Sequence, residues 1–213
     1  MAFAFLLIFA IFALPIGLYI WHVAVRVPAA GRARQEQTWR PLAERLGGHF
    51  APSTGGARFH AMTIPFGATQ VTCLVFDRAA HDPALSSMRT EVGGWRTFVQ
   101  APVPERRGVA LAIEPRHKWS SPKFSSGHPA LDAQHVFAPL LGTQPYAVTN
   151  RITPDLAHAL TVLGPRYDYV QAGPAFVSLE LPGICQDPQV LEAAVRIVGA
   201  LAQPAADAIA IAR

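Results

Sequence analysis

The hydrophobic and polar positions divide this chain sharply after Val25. From Ala2 to Val25 the 24 residues are apolar apart from Pro15, Gly17 and His22. At ~1.5 Å per residue they make a helix of about 36 Å, enough to cross a hydrocarbon core of about 30 Å with some tilt. Proline is tolerated in such a span. Tyr19, Trp21 and His22 stand at its C-terminal end, where amphipathic rings favour the headgroup layer. A cleaved signal peptide wants a basic start and a shorter apolar run, and no Lys or Arg precedes Arg26. Residues 2–25 are therefore expected to be a retained transmembrane anchor.

Residues 26–47 read as a basic juxtamembrane helix. Within 30–46, Trp39, Leu42 and Leu46 share one face, Gly47-Gly48 supply a stop, and Pro41 is expected to start a new turn or kink. The period then changes to that of strands. Residues 57–64 and 69–78 flank Pro65-Phe66-Gly67 as a hairpin, and the second strand is apolar on both faces, as suits a central position. Residues 89–99, with a bulge at Gly93-Gly94, and 109–114 continue the sheet. A polar Pro/Ser/Gly loop fills 115–129.

Beyond it, 130–141 reads as a helix and 146–151 as a strand. Thr153-Pro154-Asp155 caps a helix that ends at Gly164-Pro165, with Leu156, Leu160 and Leu163 inward. Residues 167–171 and 176–181 form a hairpin. Asp187-Pro188 opens a last helix with Val190, Ala194, Ile197 and Leu201 inward and a Glu192–Arg196 pair outside. The pattern predicts an α+β fold: an N-terminal transmembrane helix, then one soluble domain (48–213) with a mainly antiparallel sheet and three to four helices.

Composition sharpens this picture. The chain is 51% hydrophobic over 213 residues, but residues 1–25 hold 22 of those positions and none of the 32 charges (18 Lys+Arg, 14 Asp+Glu). Without them the remainder is an ordinary globular composition, and two cysteines exclude a disulfide scaffold. Of the net charge of +4, the juxtamembrane segment supplies +3: Arg26, Arg32, Arg34, Arg40 and Arg45 less Glu36 and Glu44. Those arginines, Arg26, Arg32 and Arg34 foremost, read as a contact with anionic headgroups rather than a nucleic-acid stripe, and no nucleic-acid partner is expected. The positive-inside rule places the C-terminal domain in the cytoplasm of a bacterial inner membrane, as a single-pass protein.

Candidate chemistry is sparse. The segment Ser125-Ser126-Gly127-His128-Pro129-Ala130-Leu131-Asp132-Ala133-Gln134-His135 brings two imidazoles and a carboxylate within helical reach. His128, Asp132 and His135, with His117 nearby, are the candidates for a divalent metal in a membrane-associated hydrolase. Their spacing matches no specific metal motif, so the expected roles are structural: His128 caps the helix and Asp132 fixes the preceding loop. Ser120, Ser121, Ser125 and Ser126 lack a nucleophile elbow. Cys73 lies in an apolar strand and Cys185 in a turn that leaves it open to solvent. No P-loop or dinucleotide fingerprint is present; no catalytic residue, metal or cofactor is assigned.

Three stretches resemble a set of bacterial single-span, membrane-anchored proteins of unknown function. They are Trp39…Leu42-Ala43…Leu46-Gly47-Gly48, then Lys123-Phe124-Ser125-Ser126-Gly127-His128-Pro129-Ala130-Leu131-Asp132, and Ile152-Thr153-Pro154-Asp155-Leu156. The resemblance follows the order of elements over 35–202. His128 stands where that pattern has an acid, and His135 where it has an aromatic. It implies no catalytic residues and makes Asp132 a helix-start residue. The expected function is a membrane-tethered module, held in the bilayer by the N-terminal helix, that binds a protein or small ligand. Trp119 and Phe124 in the 115–129 loop are the expected contacts, since large aromatics on loops make interface anchors.

Overall fold

The structure, a computed structural model, describes residues 27–53, 59–77, 94–104, 109–117, 124–140 and 142–204. Residues 2–25, Arg26, Gly93 and Trp119 lie outside them. No helix among the described residues is long and apolar enough to cross a membrane.

Eight strands make one sheet in which every neighbouring pair is antiparallel. Helix α1 (Val27–Arg45) leads into a meander of β1 (His49–Ala51), β2 (Ala61–Phe66), β3 (Thr69–Asp77) and β4 (Trp95–Pro102). The chain then crosses to the far edge to lay down β5 (Leu111–Pro115), α2 (Pro129–Asp132) and β6 (His135–Pro139). Helices α3 (Pro145–Arg151) and α4 (Pro154–Leu163) follow, and the hairpin of β7 (Tyr169–Ala172) and β8 (Phe176–Pro182) closes the gap before α5 (Pro188–Ala202). The strand order is β1-β2-β3-β4-β8-β7-β5-β6, so β8 joins the meander to the later strands. Its five inner residues are all buried, whereas β4 buries alternate positions.

The helices cover one face. Register places Met62, Cys73, Val99 and Leu179 in one row across β2, β3, β4 and β8, and all four are fully buried. Helix α5 lies on this row with Val190, Ala194, Ile197 and Leu201 buried, and α4 packs beside it through Leu156, Leu160 and Leu163. Both helices start as the sequence predicts: Thr153 Oγ1 accepts from Leu156 N–H, and the Asp187 carboxylate accepts from Gln189 and Val190 N–H. The outer Glu192–Arg196 pair is made at 2.8 Å.

Four expectations change. Residues 130–141 are not one helix: α2 stops after Asp132, and His135–Pro139 pairs with β5. Val136, Phe137 and the neighbouring apolar residues suit either period, and an unpaired edge of β5 decides in favour of a strand. Residues 146–151 are helical, not extended; Pro145 occupies the first turn, where its missing N–H costs nothing, and Val148 alone is buried. The hairpin at 65–67 is tighter than expected, because Pro65 and Phe66 still pair with Gln70 and Thr69 and the turn is Gly67-Ala68. Gly67 adopts φ +56°, which favours glycine. Helix α1 runs through Pro41 rather than starting afresh there, and Trp39, Leu42 and Ala43 on either side of it are held in the core.

Gly199 of α5 meets the ring of Phe66 so closely that an added Cβ would lie 2.4 Å from Phe66 Cγ. An ordinary helical Gly→Ala change stabilises by about 1 kcal/mol. Here Gly199→Ala is expected to destabilise by about 1–3 kcal/mol through overpacking, read from the urea midpoint of the full chain in detergent micelles. Phe66→Leu in the same chain should restore part of the loss; an increase in midpoint for Gly199→Ala alone would overturn this account of the contact.

Candidate functional site

Strands β1, β3, β5 and β8 run in one direction and the other four in the opposite one, which gives the two ends of the sheet different characters. Ala51, Asp77, Pro115 and Pro182 end β1, β3, β5 and β8, and register puts all four at the same end. The connections 52–60, 78–94, 116–128 and 183–187 therefore leave from this end. The other end holds the turns at 67–68 and 173–175. The N-terminal half of α1 lies at the first end, where a Cβ on Gly31 would sit 3.0 Å from Ile184 Cδ1 and 3.1 Å from Phe59 Cε1.

Helix α1 is fastened along its length. The Gln35 side chain, fully buried, donates to the His60 carbonyl at 2.8 Å and accepts from the His60 N–H at 2.9 Å. The His60 ring accepts from Ser53 N–H through Nδ1 at 2.8 Å. Trp39 Nε1 donates to the Cys185 carbonyl at 2.9 Å, and Thr38 Oγ1 to the Gln186 carbonyl. Arg45 pairs with Glu192 of α5. Gln35 was legible in principle, since it continues the Trp39, Leu42, Leu46 face by one turn.

The predicted His/Asp group is divided among separate roles. Asp132 closes a small cap: its carboxylate accepts from Ser125 Oγ at 2.7 Å and Ser126 N–H at 2.9 Å. Burial works to raise its pKa, but these bonds and the Arg116 guanidinium outweigh it and hold the carboxyl below its usual range. His128 is the N-cap residue of α2, as expected in position, but its side chain makes no cap bond. Instead its carbonyl takes the Leu131 and Asp132 N–H groups. His135 starts β6 and is fully buried, with Nδ1 2.9 Å from Tyr167 Oη. Burial lowers its pKa, opposed in part by the Leu160 backbone, and burial with the Glu114 carboxylate raises that of Tyr167. Among the described residues no three His, Cys, Asp or Glu side chains are grouped to hold a metal.

Phe124 is half-buried and packs against the core; Trp119 lies outside the described residues. Arg32 is half-buried and Arg34 exposed on the N-terminal half of α1. Both thiols are free and buried. For Cys185 this corrects the expected open turn: its amide donates to Thr97 Oγ1 at 2.8 Å, which seats the residue inward, and burial pushes its thiol up to about 11. One cluster had no sequence signal. Arg96 of β4 bridges Asp168, at 2.9 Å, and the buried Glu180 of β8, at 3.4 Å, across separations of 72 residues and more.

No protein-family model matches the chain, and no curated protein matches it. Among solved structures, the crystal structure of the mycobacterial trehalose monomycolate transport factor A, TtfA, aligns with a TM-score of 0.43 at 10% identity, covering 79% of this chain and 92% of that one. A superposition this loose assigns neither a family nor a function.

The buried imidazoles set a pH dependence. His135 and His60 both have pKa values lowered from 6.5, chiefly by burial. Below that value the unfolded chain binds protons that the folded chain refuses, so stability falls as pH drops. The urea midpoint of the full chain should decline from ~pH 7.5 to ~pH 5.5, with each histidine contributing at most about 1.4 kcal/mol per pH unit. His135→Phe should flatten the slope, and a midpoint unchanged across that range would overturn the assignment.

Proposed function

We propose that this chain is a single-span, membrane-tethered α+β binding module whose domain faces the cytoplasm. The observation that carries the reading is the joint between anchor and domain. An uncharged apolar run ends two residues before α1 begins, and α1 is fastened to the sheet by Gln35, Trp39 and Leu42. A helix fixed in this way makes the tether part of the domain rather than a loose leash. The arginines that follow the run favour a cytoplasmic domain, and the resemblance to single-span membrane proteins agrees with it.

A binding role, rather than a catalytic one, is supported by how the reactive side chains are used. Asp132 is spent on a loop cap, His135 on Tyr167, His60 on Ser53, and both thiols are buried. The partner is a protein or small ligand that meets the 115–129 connection, with Trp119 as the anchor of that contact.

The tether predicts that the full chain resists alkaline extraction from membranes and that deleting 2–25 releases it. A reporter fused after Arg213 should be active only when it is one that works in the cytoplasm; activity of a reporter that needs the opposite side would overturn the orientation. A photo-crosslinking residue at position 119 should give an adduct of discrete mass in cells, absent when placed at the exposed Tyr146. Equal yields at both positions would count against the binding contact.

A further inference from the structure

We infer that the end of the sheet carrying Phe59, Trp95 and Ile184 faces the headgroup layer of the bilayer that holds the anchor. This rests on the tether reading above and adds to it the surface and its occupant.

Helix α1 starts at Val27, and at its Gly31 a Cβ would already meet Ile184 and Phe59. From Val25 to Gly31 the chain runs two residues of at most about 3.6 Å each and four helical rises of ~1.5 Å, or about 13 Å in all. A headgroup layer occupies about 5–8 Å of that. The domain surface at Gly31 therefore stands within a few ångströms of the lipid surface, closer than the width of one helix.

Contacts at Gly31, Gln35, Thr38 and Trp39 bind successive turns of α1 to the strand ends and to the segment after β8. Moving α1 relative to the strands would break the buried Gln35–His60 pair and the Trp39–Cys185 bond, so the domain turns only as one body with α1. A domain joined through one of its own packed helices keeps the attitude that helix gives it.

Phe59 is buried and backs the half-buried Trp95 edge to face with centroids 4.7 Å apart, and Trp95 with the half-buried Ile184 offers the aromatic and aliphatic groups that suit an interface. Arg32 and Arg34 flank the contact, with no acidic residue before Glu36, matching the negative potential of a cytoplasmic leaflet. The opposite end, at the 67–68 and 173–175 turns, faces away.

Strand β8 supplies a ruler. Pro182 ends it on the proposed membrane side, and Ala175 precedes it on the far side, and both are exposed. The seven residue steps from one to the other span about 23 Å. The experiment places a fluorophore on Pro182→Cys, Ala175→Cys or Ala29→Cys in the full chain. Each variant is reconstituted into phosphatidylcholine–phosphatidylglycerol vesicles carrying headgroup nitroxide quenchers. Cys73 and Cys185 are buried, and the unsubstituted chain controls for their labelling. The expected result is quenching at Ala29 and at Pro182, several-fold stronger at Pro182 than at Ala175. Quenching at Ala29 with equal or reversed quenching at the β8 positions would overturn the orientation and leave the tether standing. No quenching at Ala29 would overturn the tether, and this inference with it.

Discussion

The structure depends on the insertion of β8 between β4 and β7. Without it the meander β1–β4 and the group β7-β5-β6 would be two separate small sheets, each with an open edge ready to pair with another chain. With it they become one surface wide enough for α4 and α5 to lie across. Burial of every inner residue of β8, including Ser178 and Glu180, follows from that position. A carboxylate so enclosed needs a cation, and Arg96 on the neighbouring strand supplies it while also reaching Asp168. The seam is thus fastened twice, by backbone pairing along its length and by charge near one end.

Much of this architecture was legible. The caps at Thr153 and Asp187 read correctly because a short polar side chain followed by proline has few other uses. The inward faces of α4 and α5 read correctly because their apolar residues keep the helical period over about two turns in α4 and about three in α5. The errors fall where the period is short or absent. Between Ala130 and Arg151 the apolar residues come in twos and threes, and pairing with β5 decided the outcome for His135–Pro139. Strand order was not legible at all, since nothing local distinguishes a strand that pairs with its neighbour in sequence from one that returns to a partner some 80 residues back.

The candidate site was legible in a different sense. The segment Ser125 to Asp132 stood out because polar residues before a helix carry information, and it proved to be a loop held by its own carboxylate. The distance from Asp132 to His135 along the chain suggested a shared face, but that requires the helix to continue. Once α2 stops after Asp132, His135 turns inward to Tyr167. The inward-facing Gln35, by contrast, lay on a face already marked by Trp39 and Leu42, where a lone polar residue among apolar ones signals a buried hydrogen bond.

The strand order also has a consequence for how the chain is made. The apolar row of the meander, Met62, Cys73 and Val99, is complete once residue 102 has been synthesised, yet the strand that extends it and the helix that covers it arrive only with residues 176–202. At translation speeds of about 5–20 residues per second, that surface waits on the order of 5–20 s for its cover. The row stays uncovered over that interval, and the second half of the chain completes the fold almost as a ligand for the first.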